Sequence, residues 1–210
     1  MFDCTVEVTN FMPVWPGNPA AAIKTKSSIE NGDPTNVSSI TIDSHTGTHV
    51  DAPYHLFDKG EKFFNLDISS WLGKAQVIQI ENPKEVTSDE ILKKYNGREE
   101  IVLFKTKNSG IWSKTDKFVE NYVYINTNAA QKLVDLKIRL VGIDYLSVEE
   151  YNSSNAETHS RLLQNNVLII EGLNLSKVHE GVYFMVCCPL KIHCADGSPA
   201  RVVLFQDIDK

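Results

Sequence analysis

The amino-acid sequence predicts an α/β fold: a single domain over residues 1–210 built on a mixed β-sheet flanked by helices. Runs rich in Val, Ile and Phe recur from one end of the chain to the other, as buried and half-buried strands require. Stretches with helical spacing and recognisable caps fall between some of them. No internal repeat, low-complexity tract or linker divides the 210 residues, a length that suits one domain with a sizeable core.

In chain order the strand-like runs cover residues 5–8, 37–43, 75–80, 100–106, 123–126, 139–143, 167–170, 182–187 and 202–205. The first twenty residues also hold MPVWPGNP, in which three prolines and a glycine hold Trp15 in a rigid turn. Composition leaves Trp15 two uses, a plug over the core or an aromatic wall for a ligand. Thr87-Ser88-Asp89-Glu90 has the form of a capping box and opens a helix over 90–95, which Asn96-Gly97 closes. A second helix spans 128–136, with Leu133 and Leu136 at helical spacing, and a third spans 156–164, carrying His159, Leu162 and Leu163.

Composition excludes several functions. The formal charge is −6 and the lysines are scattered, so no basic stripe is offered to nucleic acid. No apolar run approaches the roughly 18–20 residues needed to cross a bilayer. The N-terminal MFDCTVEV lacks a basic leader followed by an apolar stretch, so a cytoplasmic protein is expected. Cys4, Cys187, Cys188 and Cys194 are then expected as reduced thiols. A structural zinc site from Cys187, Cys188, His193 and Cys194 lacks the C-x₂₋₄-C loop, and the vicinal pair reads better as core packing at the end of an apolar run. His179 reads as solvated, Cys4 and Met12 as packing or surface residues, and Arg201 as a partner for a structural carboxylate or for substrate.

The densest chemistry lies in HTGTHVDAPYH, residues 45–55, which holds three of the six histidines and one aspartate. Imidazole and carboxylate are ligands for zinc, manganese and similar ions. The four-residue step from His45 to His49 matches the zincin motif, but the glutamate after the first histidine is absent. Gly47 and the flanking threonines are poor helix formers, and Pro53 biases Ala52 away from helical dihedrals. The segment therefore reads as a turn or irregular loop after a strand. Within it, alternation points His49 and Asp51 the same way, and a turn at Gly47 can bring His45 to join them. The bland alternative is polar loop residues bonding to backbone. His159 taken singly would be a helix-surface imidazole, whereas Glu171, ending the apolar run VLII, needs a partner to offset its desolvation.

These motifs resemble the cyclase family of metal-dependent hydrolases, to which bacterial kynurenine formamidases and isatin hydrolases belong. The likeness rests on H-x-G-T-H-x-D-x-P-x-H after a P-x-x-P-G turn, on VGID at 141–144, on the His159…Glu171 pair, and on PLKI followed by DGSPARVVL. It implies a barrel-like mixed sheet of the swivelling β/β/α type, assembled as a homodimer or larger oligomer. It also implies that His45, His49 and Asp51 bind one divalent metal. Asp51 then bridges to a second, which His159 and Glu171 help hold. By the same likeness His55 is the catalytic acid/base and Trp15 lines the substrate pocket. Asn18, where an Asp is expected, and His193-Cys194-Ala195, in place of a glycine-rich stretch, depart from the pattern.

Two divalent ions, zinc or manganese, would carry four positive charges against Asp51 and Glu171, and a water bound to zinc can have its pKa lowered to about 7. The expected reaction is hydrolysis of an amide C–N bond, with His55 protonating the departing nitrogen and Trp15 stacking on an aryl ring. An N-formyl aryl amine such as N-formylkynurenine is the leading substrate. Ring-opening of a cyclic amide, imide or lactone is the second reading. A non-catalytic metal or ligand-binding protein is the third, and it leaves His55 without a task.

Overall fold

Strands that are apolar at every position need cover on both faces. The computed structural model, which describes residues 1–206, shows how this chain supplies it. The elements are β1 (Phe2–Asp3), β2 (Ala22–Ser27), β3 (Val37–Thr41), β4 (His49–Asp51), β5 (Leu72–Gln79), β6 (Glu85–Val86), α1 (Ser88–Lys94), β7 (Ile101–Lys105), β8 (Tyr124–Ile125), α2 (Thr127–Asp135), β9 (Leu140–Ile143), α3 (Glu157–Gln164), β10 (Leu168–Glu171), β11 (Gly181–Pro189) and β12 (Gly197–Phe205).

Seven strands close into a mixed barrel in the order β12-β11-β5-β7-β9-β10-β4, because β4 pairs with both β10 and β12. β5, β7, β9 and β10 are parallel, and β4 and β11 run against their neighbours. β4 and β1 share one edge of β12, at residues 197–199 and 203–204 respectively. β2 and β3 form a separate antiparallel hairpin whose second strand is exposed throughout, and β6 and β8 make a short parallel pair. No helix among the described residues is long and apolar enough to cross a membrane.

Strand alternation separates two cores. Val50, Ala75, Val77, Ile101, Leu103 and Ile170 belong to the cluster that fills the barrel. Their sequence neighbours Ile78, Val102, Phe104, Val141 and Ile169 pack with Ile91, Leu133, Leu162 and Leu163 of the three helices. This double burial explains why the parallel strands read as continuous apolar runs. Half of the expected capping box forms: Glu90 N donates to Thr87 Oγ1 at 3.3 Å, while the Glu90 carboxylate accepts from Glu81 N and Asn82 N. The second helix begins at Thr127 with Asn126 as its cap, whose side chain accepts from Ala129 N at 2.8 Å. α3 has no capping side chain of its own at Ala156, and the Glu149 carboxylate accepts from Thr158 N and His159 N instead.

Three expectations need correction. Residues 5–8 form no strand: Thr5 makes one isolated bridge to Leu173, and Val6 N donates to the Thr48 hydroxyl. Residues 49–51 are a strand and not a loop, because neighbours on both sides satisfy a backbone whose propensity is poor. Of the vicinal cysteines only Cys187 lies in the core; Cys188 points outward and is exposed, as alternation along β11 dictates.

Candidate metal centre

β4 and β10 lie antiparallel with His49 opposite Glu171 and Asp51 opposite Ile169. Residues in register share a face, so His49, Asp51 and Glu171 all project toward the helices, while Val50 and Ile170 between them enter the barrel. α3 covers that face and brings in His159 from its first turn. The Thr46-Gly47 turn places His45 before the strand, and Pro53 opens a 3₁₀ turn that folds His55 back after it. Sequence separation of more than a hundred residues is thus closed by one strand pairing and one helix.

Two glycines make the approach possible. Gly172 adopts a φ of +70°, and a Cβ there would collide with the carbonyl oxygen of Gly47. This contact presses the Gly47 turn onto the end of β10, where Thr48 Oγ1 donates to Gly172 O at 2.6 Å. A Cβ on Gly197 would lie 2.5 Å from Val50 O and 2.9 Å from His45 Cε1, so β12 passes directly against the His45 ring.

The imidazoles and carboxylates then face one another. His49 Nε2 is 3.2 Å from Glu171 Oε2 and 3.6 Å from Asp51 Oδ1. His159 Nε2 is 3.1 Å from Glu171 Oε1 and 3.6 Å from Asp51 Oδ2. His45 Nδ1 lies 2.9 Å from Asp51 Oδ1. The His45 and His55 ring centroids are 4.1 Å apart. Despite this proximity, His49 Nε2 and both Asp51 oxygens are buried without a hydrogen bond. Orphaned buried polar atoms are costly and call for a partner.

A cation is the partner that fits. The backbone carbonyl of Gly47 only accepts, so His49 Nδ1, 2.8 Å away, carries the proton and Nε2 turns a lone pair toward two carboxylates. His159 repeats the pattern, with Nδ1 3.2 Å from Glu149 Oε2. Such outer bonds fix the tautomer that ligates metal. The ligand atoms of His49, Asp51 and Glu171 form one compact trio, and those of His45, Asp51 and His55 form another, with Asp51 common to both. His55 therefore stands within 4.8 Å of the ligand atoms of His45 and Asp51. Among the described residues neither trio contains a cysteine.

The electrostatics record the same excess of negative charge. Burial disfavours a charged His45 ring, but the neighbouring carboxylates of Asp196 and Asp51 prevail and push its pKa up to about 10. Burial opposes charge on His159 as well, and Asp51, Glu149 and Glu171 together hold its pKa well above that of an ordinary imidazole. Burial would raise Asp51, yet His159 and His45 hold it well below the usual carboxylate range. Glu171, raised by burial and by Asp51, is brought below its ordinary value by His159 and His49. These shifts favour positive charge at this junction, which a bound metal ion would also supply.

A cavity of about 380 Å³ opens onto this cluster, lined by Trp15, Leu56, Leu146, Ser147 and Ala156 beside the histidines. Trp15 packs edge-on against Phe118 and Tyr151, at 5.2 and 5.7 Å, and also lines the cavity. All the residues singled out by sequence, His45, His49, Asp51, His55, His159, Glu171 and Trp15, meet here. Two others went unassigned. Glu149 ends the buried stretch that follows VGID, where a carboxylate is out of place unless bonded; Asp196 sits in the DGSP turn, and spacing alone does not tie it to His45. His193 stacks on Phe64, His179 is exposed, and Arg201 pairs with Asp3 at the surface.

A seven-stranded mixed barrel carrying a buried His/carboxylate cluster at one strand junction defines the class. A family model described as "Putative cyclase" matches residues 2–150, and the chain belongs to that family of hydrolases. A kynurenine formamidase of Geobacillus thermodenitrificans (strain NG80-2) is 34% identical over 203 residues, covering 96% of this chain and 95% of the relative. A solved structure described as a potential metal-dependent hydrolase with cyclase activity is 36% identical, covers 97% of this chain and 96% of its own, and superimposes with a TM-score of 0.84. An isatin hydrolase bound to the product analogue thioisatinate shares the fold, with a TM-score of 0.82 at 20% identity over 97% of this chain and 90% of its own.

Proposed function

We propose that this chain is an arylformamidase that uses two divalent metal ions, zinc or manganese, to hydrolyse an N-formyl aryl amine such as N-formylkynurenine. The observation that carries the metal is the orphaned trio of buried atoms, His49 Nε2 with Asp51 Oδ1 and Oδ2. His45, His49 and Asp51 would hold one ion, and Asp51, His159 and Glu171 the other. Bound there, the ions supply Lewis acidity toward a carbonyl and ease the ionisation of water.

The chain's own residues do the rest. Trp15, Leu56 and Leu146 provide an apolar wall for an aryl ring. The formamide would then meet the histidines that line the same cavity. Water oxygen bonds to the formyl carbon as one of its protons passes to His55, and His55 returns that proton to the nitrogen as the C–N bond breaks; the formic acid formed ionises to formate. The products are formate and the aryl amine. The 34% identity to a kynurenine formamidase over nearly the whole chain supports this substrate class over others of the family.

The test is an assay of zinc-loaded and manganese-loaded protein on N-formylkynurenine, formanilide and isatin side by side. Turnover of the two formamides well above that of isatin is expected. Turnover of isatin alone would replace the proposal with ring-opening hydrolysis. No turnover of any formamide, ester, lactam or lactone by metal-loaded protein would leave a binding protein on the same scaffold.

A further inference from the structure

Asp196 immediately precedes β12, and its backbone carbonyl accepts from Ala52 N at 2.9 Å, which extends the β4–β12 ladder to the edge of the site. Gly197 behind it lets the strand lie against the His45 ring. The carboxylate is fixed from three sides. Oδ1 accepts from Ser44 Oγ at 2.9 Å, and Oδ2 lies 2.8 Å from His45 Nε2 and 3.4 Å from His55 Nδ1. One oxygen therefore serves two imidazoles whose functional assignments differ.

A carboxylate only accepts, so each nitrogen facing it carries the hydrogen. Both nitrogens of His45 face carboxylates, Nε2 that of Asp196 at 2.8 Å and Nδ1 that of Asp51 at 2.9 Å; with a metal ion held at Nδ1, Asp196 keeps the proton on Nε2. For His55 it places a proton on Nδ1 and makes Nε2 the atom that exchanges a proton. We propose that Asp196 is a positioning residue that sets the tautomers of His45 and His55 together, coupling a metal-ligand ring to the proton donor through one carboxylate oxygen. Both halves rest on the proposed reading of the site, the His45 half on a metal ion held at Nδ1 and the His55 half on its role as proton donor in the arylformamidase.

Removal of a carboxylate that orients a ligand histidine typically costs about 10–100-fold in metal affinity or activity. Zinc-loaded Asp196→Ala is therefore expected to lose about that factor in zinc affinity by chelator competition. At saturating zinc, kcat on formanilide is also expected to fall, and by much less when Asp196→Ala is introduced into His55→Ala, because the two act as one unit. ¹⁵N-histidine NMR gives a readout independent of substrate. The zinc-loaded wild type should show His45 protonated at Nε2 alone, and zinc-loaded Asp196→Ala should lose that single tautomer while Ser44→Ala keeps it. Where Asp196→Ala does not fold, the isosteric Asp196→Asn carries the same measurements. Unchanged zinc affinity with an unchanged His45 tautomer would overturn the proposal. An equal fold-loss of kcat in the wild-type and His55→Ala backgrounds would overturn its His55 half. If no formamide is turned over by the wild type, the affinity and NMR measurements still decide the role of Asp196.

Discussion

At Asp51, two carboxylate oxygens with no exposed surface sit among His45, His49 and His159, and the polypeptide gives neither of them a hydrogen bond. A carboxylate left so is unfavourable unless a cation completes it. His49→Ala should therefore lose bound metal, and elemental analysis showing full occupancy in that variant would contradict its place as a ligand. His55→Ala should keep its metal and lose about 10²–10⁴-fold in kcat, the usual scale of a positioned acid; equal activity in the metal-replete variant would remove His55 from the chemistry. These residues were legible because imidazole and carboxylate in so short a window have few other uses. Asp196 was not, because it faces a histidine 151 residues away, and Glu149, though only ten residues before His159, sits in no motif that ties it to that ring.

The strand that matters most is only three residues long. β4 carries His49 and Asp51 and closes the barrel, yet its threonine- and glycine-rich approach reads as a loop; pairing on both edges supplies what propensity does not. β2 was equally hidden, since AIKTKS has only one large apolar residue and pairs solely with β3. By contrast α1, α2 and α3 were legible to within a residue or two, because the caps of α1 and α2 and the apolar spacing of all three are local properties. Two element-scale outcomes follow. Gly172→Ala forces a side chain into a left-handed conformation and against the Gly47 carbonyl, so it should cost at least about 1–2 kcal/mol, seen as a lower urea midpoint at unchanged m. Thr87→Ala removes the α1 cap and should cost about 1 kcal/mol by the same measurement, with metal content unchanged.

For the whole molecule, the barrel is the device that brings the two halves of the sequence to one junction. The mixed sheet was foreseeable from its apolar runs, but closure depends on β12 meeting β4, a pairing across about 150 residues that no local pattern encodes. The homodimer implied by the family likeness is a further expectation for the assembled protein, and sedimentation would show it as a species of twice the 23.6 kDa chain mass. Charge linkage supplies an outcome at the same scale. In metal-free protein the His45 pKa is raised to about 10, so its contribution to stability is complete below about pH 6.5 and is lost as pH climbs toward 10. Metal-free protein should therefore melt progressively lower across that interval, and metal should raise Tm most at its alkaline end, where no proton competes for the ligands. The most direct measurement is the metal content of folded protein after equilibration with excess zinc and removal of free ion, for the wild type and Asp51→Asn. Two ions per chain in the wild type and loss of both in the variant are predicted. A folded wild type that retains no zinc would contradict the account.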